Sequence, residues 1–562
     1  MMNIINQIPP KLSSQDWVGV DLEIFDLNQK QMHRPISGRF ALLSIAHGED
    51  VYILDKPEQV APALEQINDA WWIIQNAKFD ITHLRRWANV PPRERLWDTM
   101  LIERILFGGY YDTFALADLV RRHLFTHMEK ELQKSFTGNE ITPEQIQYSA
   151  LDAYVLSKIV ISQKKSMDSK SWKIWHEIDR PAMFAFMDFQ GFGIDVEKWK
   201  LLAIRNKQRQ EQIDAELPVN PRSYKKVKEF LKANGFKRLD DTEADSLEKA
   251  GLKYPNTIAA EASRKILESR SYGKMASTYG MNFVEDFLEY DGDFPFIFCN
   301  YWITGAETGR PSSDHPNMQN IPIRDTKEFR ECFIPRLGHK LVIGDYTAQE
   351  VFITAYNCRD EALIGICNSD KDVYSAMAKL MYDVDIDKKD PLRKRTKGIV
   401  LGIDYGMSVQ GLARNEGISD DEAAEILFKF FQTFPGMKTW MKKQENAKKY
   451  VTTTAGRKCW LNPFSNQSYR NALNSPIQGG AGDCTKKALA NLHYHWPYVF
   501  EDIPFPVVGY IHDELVLDVL EEHAVIVSKF LEHTMVETAN KMFPGMSFRA
   551  DVKIADNWSE KD

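Results

Sequence analysis

Four side chains recur at every fourth position between Asp390 and Gly406, in the string DPLRKRTKGIVLGIDYG. They are Arg393, Lys397, Leu401 and Tyr405. Residues four apart lie on one face of a helix, so these side chains would form a stripe about 18 Å long. The stripe begins with two cations, passes an apolar side chain and ends with an aromatic ring. This gradient suits an elongated ligand that carries phosphates at one end and a flat base at the other.

A helix must position this stripe, and the flanking residues favour one. Asp390 suits the N-cap and Pro391 the first helical position, and the cations lie near the positive end of the helix dipole. An ordinary amphipathic helix with a basic, solvated start is the alternative. Gly402, which costs about 1 kcal/mol relative to Ala, and Asp404, disfavoured by the dipole in the last turn, weaken that alternative.

The pattern Arg-x3-Lys-x3-Leu-x3-Tyr-Gly resembles the nucleotide-binding fingers helix, motif B, of family A DNA polymerases. The resemblance implies that Arg393 and Lys397 hold the triphosphate of a dNTP and that Tyr405 lies beside the templating base. Leu401 stands where the family usually has Phe or Tyr. This departure leaves sugar discrimination and dideoxynucleotide acceptance open.

A second group of residues that could do chemistry lies near the beginning of the chain. Asp21 and Glu23 alternate with aliphatic residues in WVGVDLEIFDL, so a strand would place both carboxylates on one face. Asp80 follows a later apolar strand, and Tyr148 and Asp152 share one face of a predicted helix. Each pattern alone also fits a solvent-exposed strand or a surface helix.

Together these motifs resemble those of the DEDDy 3′–5′ exonucleases over about residues 15–165. The resemblance implies a ribonuclease-H-like α/β domain that holds two divalent metal ions, Mg²⁺ or its substitute Mn²⁺. Its metal ligands would be Asp21, Glu23, Asp80 and Asp152. Tyr148 would orient the attacking water, and two metal ions would activate it and stabilise the leaving 3′ oxygen. Every residue of the family set is present, so we expect an active exonuclease.

Further acids lie next to strands in the second half of the chain. A β-branched run ends at Asp345, and a helix is expected from Thr347, where Thr347 and Glu350 fit a capping box. In FPVVGYIHDELVLDVL, two apolar strands flank the acidic turn 512–514. Turn acids and capping boxes are common, so each pattern also has a purely structural explanation.

These two stretches resemble motifs A and C of the same polymerase family. The resemblance implies that Asp345 and Asp513 hold two Mg²⁺ ions, with the carbonyl of Tyr346 as a further ligand. Glu514 would be a nearby auxiliary acid. Glu350 would be a steric gate that favours deoxynucleotides, and the ring of Tyr346 would pack near the sugar.

The loop-rich string AETGRPSSDHPNMQNIPIR and the helix opening RNALNSPIQGG also match polymerase-family motifs. Arg310 would read the primer-terminal pair from the minor groove, and Arg324 would lie near the incoming phosphates. The other implied DNA contacts are Gln319, Asn320, Arg470, Asn474, Gln478, His512 and Lys274. A polar loop or a solvated basic face is the alternative for each of them alone.

Composition limits the class of protein. The 562 residues suggest three or four domain-sized units, and 43% hydrophobic residues can fill packed cores. The net charge of −8 excludes a basic nucleic-acid coat but permits local basic grooves. Six cysteines without a Cys-x2-Cys pair indicate reduced thiols in a cytosolic protein. We see no signal peptide and no segment of bilayer-spanning length.

We therefore expect a multidomain α/β and α+β protein, with an exonuclease domain followed by a right-hand polymerase domain. The expected boundaries are 1–165 for the exonuclease domain, 166–180 for a linker and 181–562 for the polymerase domain. Within the polymerase domain, the thumb is expected at about 181–295 and the fingers at about 376–470. The palm is expected in two segments, at about 296–375 and 471–562. No room remains upstream for a 5′ nuclease. The compact form resembles phage-encoded members, which would work in the host cytoplasm.

The expected function is template-directed DNA synthesis with proofreading, by a monomer that uses primer–template DNA and dNTPs and no membrane. A helicase, a primase or a single-strand-binding protein are candidate partners. Three alternatives stay open: a nuclease whose polymerase half only binds DNA, a non-catalytic replication scaffold, and an RNA polymerase with the same palm.

Overall fold

The computed structural model describes residues 2–26, 38–128, 132, 135–138, 140–323, 326–462, 465 and 468–561. Arg324 lies outside the described residues. The chain forms two compact units. The first comprises Met1–Gln190, Cys299–Gln319 and Val342–Ile554, and the second comprises Gly191–Phe298, Asn320–Leu341 and Ala555–Asp562.

The N-terminal part of the first unit is an α/β layer. Its strands are β1 (Asn3–Ile5), β2 (Trp17–Phe25), β3 (Arg39–His47), β4 (Asp50–Leu54), β5 (Trp71–Ile74) and β6 (Leu96–Asp98). Within the described ranges they form one mixed sheet in the order β1-β4-β3-β2-β5-β6. The β2–β3 and β3–β4 pairs are antiparallel, whereas β2–β5 and β5–β6 are parallel. The mixed sheet agrees with the expected ribonuclease-H-like arrangement.

Helices cover this sheet and continue into the next part of the chain. They are α1 (Val60–Gln66), α2 (Ala77–Leu84), α3 (Thr99–Phe107), α4 (Leu116–Leu124), α5 (Pro143–Ser166), α6 (Ser169–Ile174) and α7 (Arg180–Met187). Helix α5 begins with a capping box, because Thr142 Oγ1 accepts from the N–H of Gln145 and Gln145 Oε1 accepts from the N–H of Thr142. A π-helical turn, Trp175–Asp179, joins α6 to α7.

The second unit is mainly helical. Its elements are β7 (Phe192–Gly193), α8 (Val196–Glu216), α9 (Tyr224–Ala233), α10 (Ala244–Lys253), α11 (Ile258–Thr278), α12 (Met281–Phe287), β8 (Leu288–Asp291) and β9 (Phe294–Ile297). Helices α9 and α11 carry the basic strings YKKVKEF and SRKILESRSYGK. A separate apolar core holds α9, α10 and α11 together, with Val227, Leu231 and Ile266 fully buried.

The remainder of the first unit contains the second candidate site. Its strands are β10 (Asn300–Trp302), β11 (Ser312–Asp314), β12 (His339–Tyr346), β13 (Tyr450–Thr452), β14 (Lys458–Trp460), β15 (Val507–Ile511), β16 (Glu514–Leu520) and β17 (Ala550–Ala555). Its helices are α13 (Gln349–Cys358), α14 (Glu361–Cys367), α15 (Val373–Tyr382), α16 (Pro391–Asp404), α17 (Val409–Glu416), α18 (Asp420–Thr433), α19 (Pro435–Glu445), α20 (Ser468–Val499) and α21 (Ala524–Met542).

A second sheet has the strand order β15-β16-β12-β17 in the part of the chain that the structure describes. Strands β12, β15 and β16 are largely buried, as expected for nearly continuous runs of aliphatic residues such as Leu341–Ile343, whereas only Ala555 of β17 is buried. All six cysteines are free thiols, as predicted. Among the described residues, no helix has both the length and the apolar character needed to cross a membrane.

Candidate active sites

Strand β2 and helix α5 build the first site. Asp21 and Glu23 project from the same face of β2, and Asp152 projects from α5. Ligand oxygens of these three carboxylates all lie within 4.8 Å of one another. Gly19 permits this approach, because a Cβ there would lie 2.0 Å from the carbonyl oxygen of Ala153. The structure thus brings together three of the four predicted metal ligands.

The fourth predicted ligand, Asp80, reaches the same strand from α2. Its Oδ1 accepts a hydrogen bond of 3.0 Å from the backbone N–H of Leu22, which lies between Asp21 and Glu23. Asp80 is buried, and the Asp21 charge adds to the effect of burial in raising its pKa well above the ordinary value. Asp80 is therefore an electrostatic neighbour of the cluster.

Burial and mutual repulsion raise the pKa values of these acids. Burial raises the pKa of Asp21 to about 7. Burial, together with the charges of Asp21, Asp152 and Asp80, raises the pKa of Glu23 well above its ordinary value. The pKa of Tyr148 is also raised, first by burial and then by the neighbouring Asp152 and Glu23 carboxylates.

The donor set fits Mg²⁺ or Mn²⁺. Every group in the cluster offers carboxylate oxygens, the ligands that hard divalent cations prefer. Oδ1 of Asp152 is buried and has no hydrogen-bond partner among the described residues. A divalent cation would supply the positive charge that these crowded acids otherwise lack.

Sequence reasoning missed two residues that position this cluster. Asp98 is fully buried, and its carboxylate accepts from the N–H of Ala77 at 2.7 Å and of Leu101 at 2.9 Å. It therefore caps both α2, which carries Asp80, and α3. Ser149 lies with its Oγ 3.5 Å from Asp21 Oδ2. The motif WDTMLIERIL contains Asp98, but only the fold reveals that it caps two helices.

The second site lies at the β15–β16 hairpin and the end of β12. Asp513 immediately precedes β16, which neighbours β12 in the sheet, and Asp345 is the second-to-last residue of β12. Burial chiefly, with Asp513 among the further causes, raises the pKa of the Tyr346 hydroxyl well above its ordinary value. The two acidic segments are thus adjacent. Shared metal binding by the two carboxylates stays a prediction.

The hairpin turn is tight. Ile511 pairs with Glu514, so His512 and Asp513 form the turn, and His512 has a left-handed φ of 60°. Its side chain is exposed, as a DNA contact requires. Glu514 is only 1% exposed, so its predicted auxiliary role would be exercised from within the sheet.

The Tyr346 ring is 3% exposed, and its hydroxyl donates to the carbonyl of Met535 at 2.8 Å. Packing of this ring near a sugar and metal binding by its backbone carbonyl stay predictions. One detail of the second site differs from prediction: the capping box of Thr347 and Glu350 is wrong, since α13 begins at Gln349 after Ala348, which has a φ of 50° and no side-chain cap. Glu350 therefore takes no part in capping α13.

Glu350 instead lies among three other predicted contacts, Tyr405, Arg310 and Gln478. The Tyr405 hydroxyl donates to Glu350 Oε2, and Arg310 Nη1 lies 3.8 Å from Glu350 Oε1. Burial and Glu350 raise the pKa of Tyr405, and a hydrogen bond with Gln478 opposes this effect. Residues predicted to contact the nucleotide and the primer end therefore meet at one place.

Helix α16 follows the predicted pattern, with the Asp390 side chain accepting from the N–H of Leu392 at 2.8 Å. Tyr405 lies just beyond its last residue. Gly402 packs against Met407, because a Cβ there would lie 2.3 Å from Cε at the flexible end of that side chain. Leu401 is half-buried on the same helix.

The cations of α16 surround a residue that sequence reasoning missed. Arg393 donates from Nε and Nη2 to Asp372, the N-cap of α15, at 2.9 and 2.8 Å. Burial alone would raise the pKa of Asp372, but the hydrogen bonds and charge of Arg393, with hydrogen bonds from Ser375, lower it to about 2. The Tyr374 ring lies 5.5 Å from Arg393 Cζ and 5.6 Å from Lys397 Nζ. Arg393 must exchange Asp372 for a phosphate if it binds a triphosphate.

Glycines of α20 bring the Arg310 loop close. A Cβ on Gly482 would lie 2.8 Å from Cγ of Arg310, and a Cβ on Gly479 would lie 2.6 Å from the carbonyl oxygen of Thr308. The fully buried Lys486 donates to the carbonyl of Gly309 at 2.9 Å. These contacts fix the segment that carries Arg310.

The remaining predicted DNA contacts are spread over both units. In the first unit, Arg470 is exposed and Asn474 half-buried on α20, and Gln319 Nε2 lies 3.3 Å from the carbonyl of Pro311. In the second unit, Lys274 is exposed on α11, and the Asn320 carbonyl accepts from the Tyr279 hydroxyl. Contact with DNA stays a prediction for each.

Comparison with known proteins identifies the class. Residues 196–560 match the family model described as DNA polymerase family A, and residues 5–167 match the one described as 3′-5′ exonuclease. The chain therefore belongs to DNA polymerase family A and carries an exonuclease domain, as the resemblance implied.

Relatives agree with this assignment. The chain is 26% identical to DNA polymerase I of Bacillus subtilis over 80% of its own length and 54% of that protein, and 28% identical to the thermostable DNA polymerase I of Thermus aquaticus over 75% and 52%. It thus spans about half of these relatives. It is 26% identical to DNA polymerase I of Aquifex aeolicus over 93% of its own length and 94% of that protein.

A solved structure has the same fold. The POL domain of Pol1 from M. smegmatis, in complex with DNA primer-template and dNTP, superposes with a TM-score of 0.82 at 23% identity. The match covers 98% of this chain and 96% of that one. The predicted fold class is confirmed.

Proposed function

We propose that this protein copies a DNA template by adding dNTPs to a primer and removes mispaired 3′ ends by hydrolysis. The observation that carries the proposal is the meeting of Tyr405, at the end of the basic helix α16, with Glu350, which follows the Asp345 strand. A nucleotide bound along α16 would thereby reach the β15–β16 hairpin, whose turn contains Asp513. The exonuclease cluster in the same chain supplies the second activity.

In the polymerase site, Arg393 and Lys397 bind the triphosphate, and Tyr405 lies against the templating pair. The primer 3′ oxygen forms a bond to the α-phosphorus while the bond to pyrophosphate breaks. Glu350 occupies the space that a ribose 2′-hydroxyl needs. Arg310 contacts the primer-terminal pair from the minor groove and checks its shape.

In the exonuclease site, the Tyr148 hydroxyl keeps its proton at neutral pH because its pKa is raised. It therefore positions the attacking water by hydrogen bonding and does not act as a base. Asp152 on the same helix lies beside it. We expect frayed, single-stranded 3′ ends to be its substrates.

We assign Mg²⁺, or Mn²⁺, to both sites. Asp345, Asp513 and the Tyr346 carbonyl would hold it in the palm. Asp21, Glu23, Asp80 and Asp152 would hold it in the exonuclease domain. When bound, the cations supply positive charge that lowers the pKa of the nucleophile and stabilises the leaving oxygen.

Primer extension on matched and mismatched 3′ ends tests the proposal. We expect the wild type to trim a mismatch and then extend it, Asp21→Ala to extend matched ends without trimming, and Asp345→Ala to trim without extending. Extension by Asp345→Ala equal to the wild type would contradict the polymerase assignment. Trimming without any extension by the wild type would favour the alternative, a nuclease whose polymerase half only binds DNA.

The wider setting also belongs to this proposal. We place the protein in the cytoplasm as a monomer that works on primer–template DNA, with a helicase, primase or single-strand-binding protein as candidate partners. A role in phage replication stays a prediction. Copurification of such proteins with the full chain, in the presence and absence of DNA, is the measurement that tests these partners.

A further inference from the structure

An exposed aromatic surface forms where the β13–β14 hairpin meets the turn after α3. Tyr110 is 58% exposed and Tyr450 is 40% exposed. Their ring centroids lie 5.1 and 5.3 Å from that of Trp460. Trp460 is fixed, because its backbone N–H donates to Gly108 at 3.0 Å and its Nε1 donates to Leu106 at 2.8 Å. We call Tyr110, Tyr450 and Trp460 the junction surface.

A basic segment leads directly into the junction surface. Residues 441–449 contain four lysines and one acid, Glu445. The four lysines, all exposed, are Lys442, Lys443, Lys448 and Lys449. Lys458, whose Nζ lies 5.8 Å from the Tyr450 ring centroid, is paired with Asp168, so the positive field comes from the lysine segment. In a protein of net charge −8, this local excess of positive charge favours an anionic ligand.

A pocket of about 260 Å³ lies next to this surface at Gly108 and Gly109, and its lining includes Arg104 and Lys458 as well as Asp112 and Glu307. The three rings of the junction surface lie outside this lining. Exposed aromatic rings next to a basic segment are the combination by which proteins bind single-stranded nucleic acid, since bases stack on the rings and phosphates contact the cations. Double-stranded DNA, whose bases are already stacked, would gain little from these rings.

Contacts link this surface to the templating position. A Cβ on Gly406, next to Tyr405, would lie 3.1 Å from Cε1 of Tyr469 in the first turn of α20. The neighbouring Ser468 donates from Oγ to the carbonyl of Asn462, two residues after Trp460. A continuous path therefore runs from the end of α16 to the junction surface.

We propose that the junction surface and the lysine segment bind the single-stranded template ahead of the templating base. Bases stack on Tyr110 and Tyr450, and the lysines contact the phosphates. The inference rests on the proposed polymerase function. It adds a binding site outside both candidate active sites, built jointly by the exonuclease half and the polymerase half of the first unit.

Equilibrium binding to fluorescent primer–templates tests this inference. The full-length protein is titrated in EDTA, which stops both reactions, with a blunt duplex and with the same duplex carrying a 5′ template overhang of about 12 nucleotides. We expect Tyr110→Ser/Tyr450→Ser to lose about tenfold in affinity for the overhang DNA and nothing for the blunt duplex. We expect Lys448→Gln/Lys449→Gln to reduce the slope of log Kd against log salt concentration by about 0.7 for each phosphate contact that is lost.

The matched control is Tyr494→Ser/Tyr498→Ser, which removes tyrosines that are 64% and 77% exposed near the other end of α20. Equal affinities of wild type and junction variant for the overhang DNA would overturn the inference. A loss confined to DNA with a 3′ overhang would overturn it too, because the surface would then bind a frayed primer. Failure of the polymerase proposal looks different, since the wild type would then extend no primer at all.

Discussion

The Tyr405 hydroxyl donates a hydrogen bond to the carboxylate of Glu350, joining the end of α16 to the first turn of α13. Arg310 lies 3.8 Å from the other oxygen of the same carboxylate. Glu350 is thus held between a residue predicted to contact the templating base and one predicted to contact the primer end. A change in base-pair shape at either residue would therefore displace Glu350, the acid that we propose to exclude ribonucleotides.

Tyr405→Phe should therefore weaken the selection of deoxynucleotides. The substitution removes the hydroxyl but keeps the ring, so stacking on the template is preserved while Glu350 loses its donor. We expect the ratio of kcat/KM for dNTP over rNTP to fall about tenfold, the scale of a hydrogen bond to a charged group. Steady-state single-nucleotide incorporation measures this ratio. Tyr382→Phe, which alters a tyrosine on α15, is the control, and an unchanged ratio in Tyr405→Phe would contradict the role given to the hydroxyl.

Asp372→Asn should alter triphosphate binding. Arg393 donates two hydrogen bonds to Asp372, which a triphosphate must replace. Asparagine can still cap α15 through its side-chain oxygen, but it competes for Arg393 without a negative charge. We expect KM for dNTP to fall about threefold or more, with little change in kcat.

Asp360→Asn provides the matched control for Asp372→Asn, because Asp360 caps α14 and accepts from the N–H of Leu363 at 3.1 Å. It should leave KM for dNTP unchanged. A higher KM in Asp372→Asn would show that the pair holds Arg393 ready for the phosphates and does not compete with them.

Local sequence patterns predicted the elements that carry these residues. The four-residue spacing from Arg393 to Tyr405 encodes a helix, and the alternation around Asp21 encodes a strand, because each depends on neighbours a few positions away. The capping box of Thr142 and Gln145 that begins α5 also depends only on neighbouring residues. Resemblance to known motifs, not periodicity, assigned the distant acids to two sites.

Contacts between distant segments were not predictable in this way. Glu350 and Tyr405 are 55 residues apart, and Arg393 and Asp372 are 21 apart. Such pairs depend on how the helices pack against each other, and a local sequence pattern does not predict that packing. The Thr347 capping box failed for a related reason, since the left-handed Ala348 turns the chain before α13 begins.

The raised pKa values of the exonuclease acids predict how stability depends on pH. Between about pH 4, the ordinary value for these acids, and about pH 7, the folded protein holds protons that the unfolded chain releases. The stability linked to these protons is present below about pH 4 and is lost as pH rises through about 7. In the absence of divalent cations, we therefore expect Tm to fall between pH 5 and pH 8, by about 1 °C for each kcal/mol in a chain of 562 residues.

Mg²⁺ should reverse this loss, because a cation that binds only the folded, ionised cluster stabilises it. Calorimetry should therefore show a larger Mg²⁺-induced rise in Tm at pH 8 than at pH 5. Asp21→Asn should reduce both the change of Tm with pH and the difference in the Mg²⁺-induced rise between the two pH values. Asp55→Asn, at an exposed position, should change neither. A rise in Tm of the same size at both pH values would contradict the assignment of the cluster as a proton-linked metal site.

Asp98 should position the exonuclease site without touching substrate. Its buried carboxylate caps α2, which carries Asp80, through the N–H of Ala77, and caps α3 through the N–H of Leu101. Asp98→Ala leaves these donors unpaired, so we expect a loss of about 2–4 kcal/mol in the free energy of unfolding. Asp80 would then shift, and the Mg²⁺ concentration for half-maximal exonuclease activity should rise while primer extension is kept. Asp195→Ala, which removes the N-cap of α8, is the control. An unchanged Mg²⁺ requirement in Asp98→Ala would mean that Asp98 stabilises the fold but does not place Asp80.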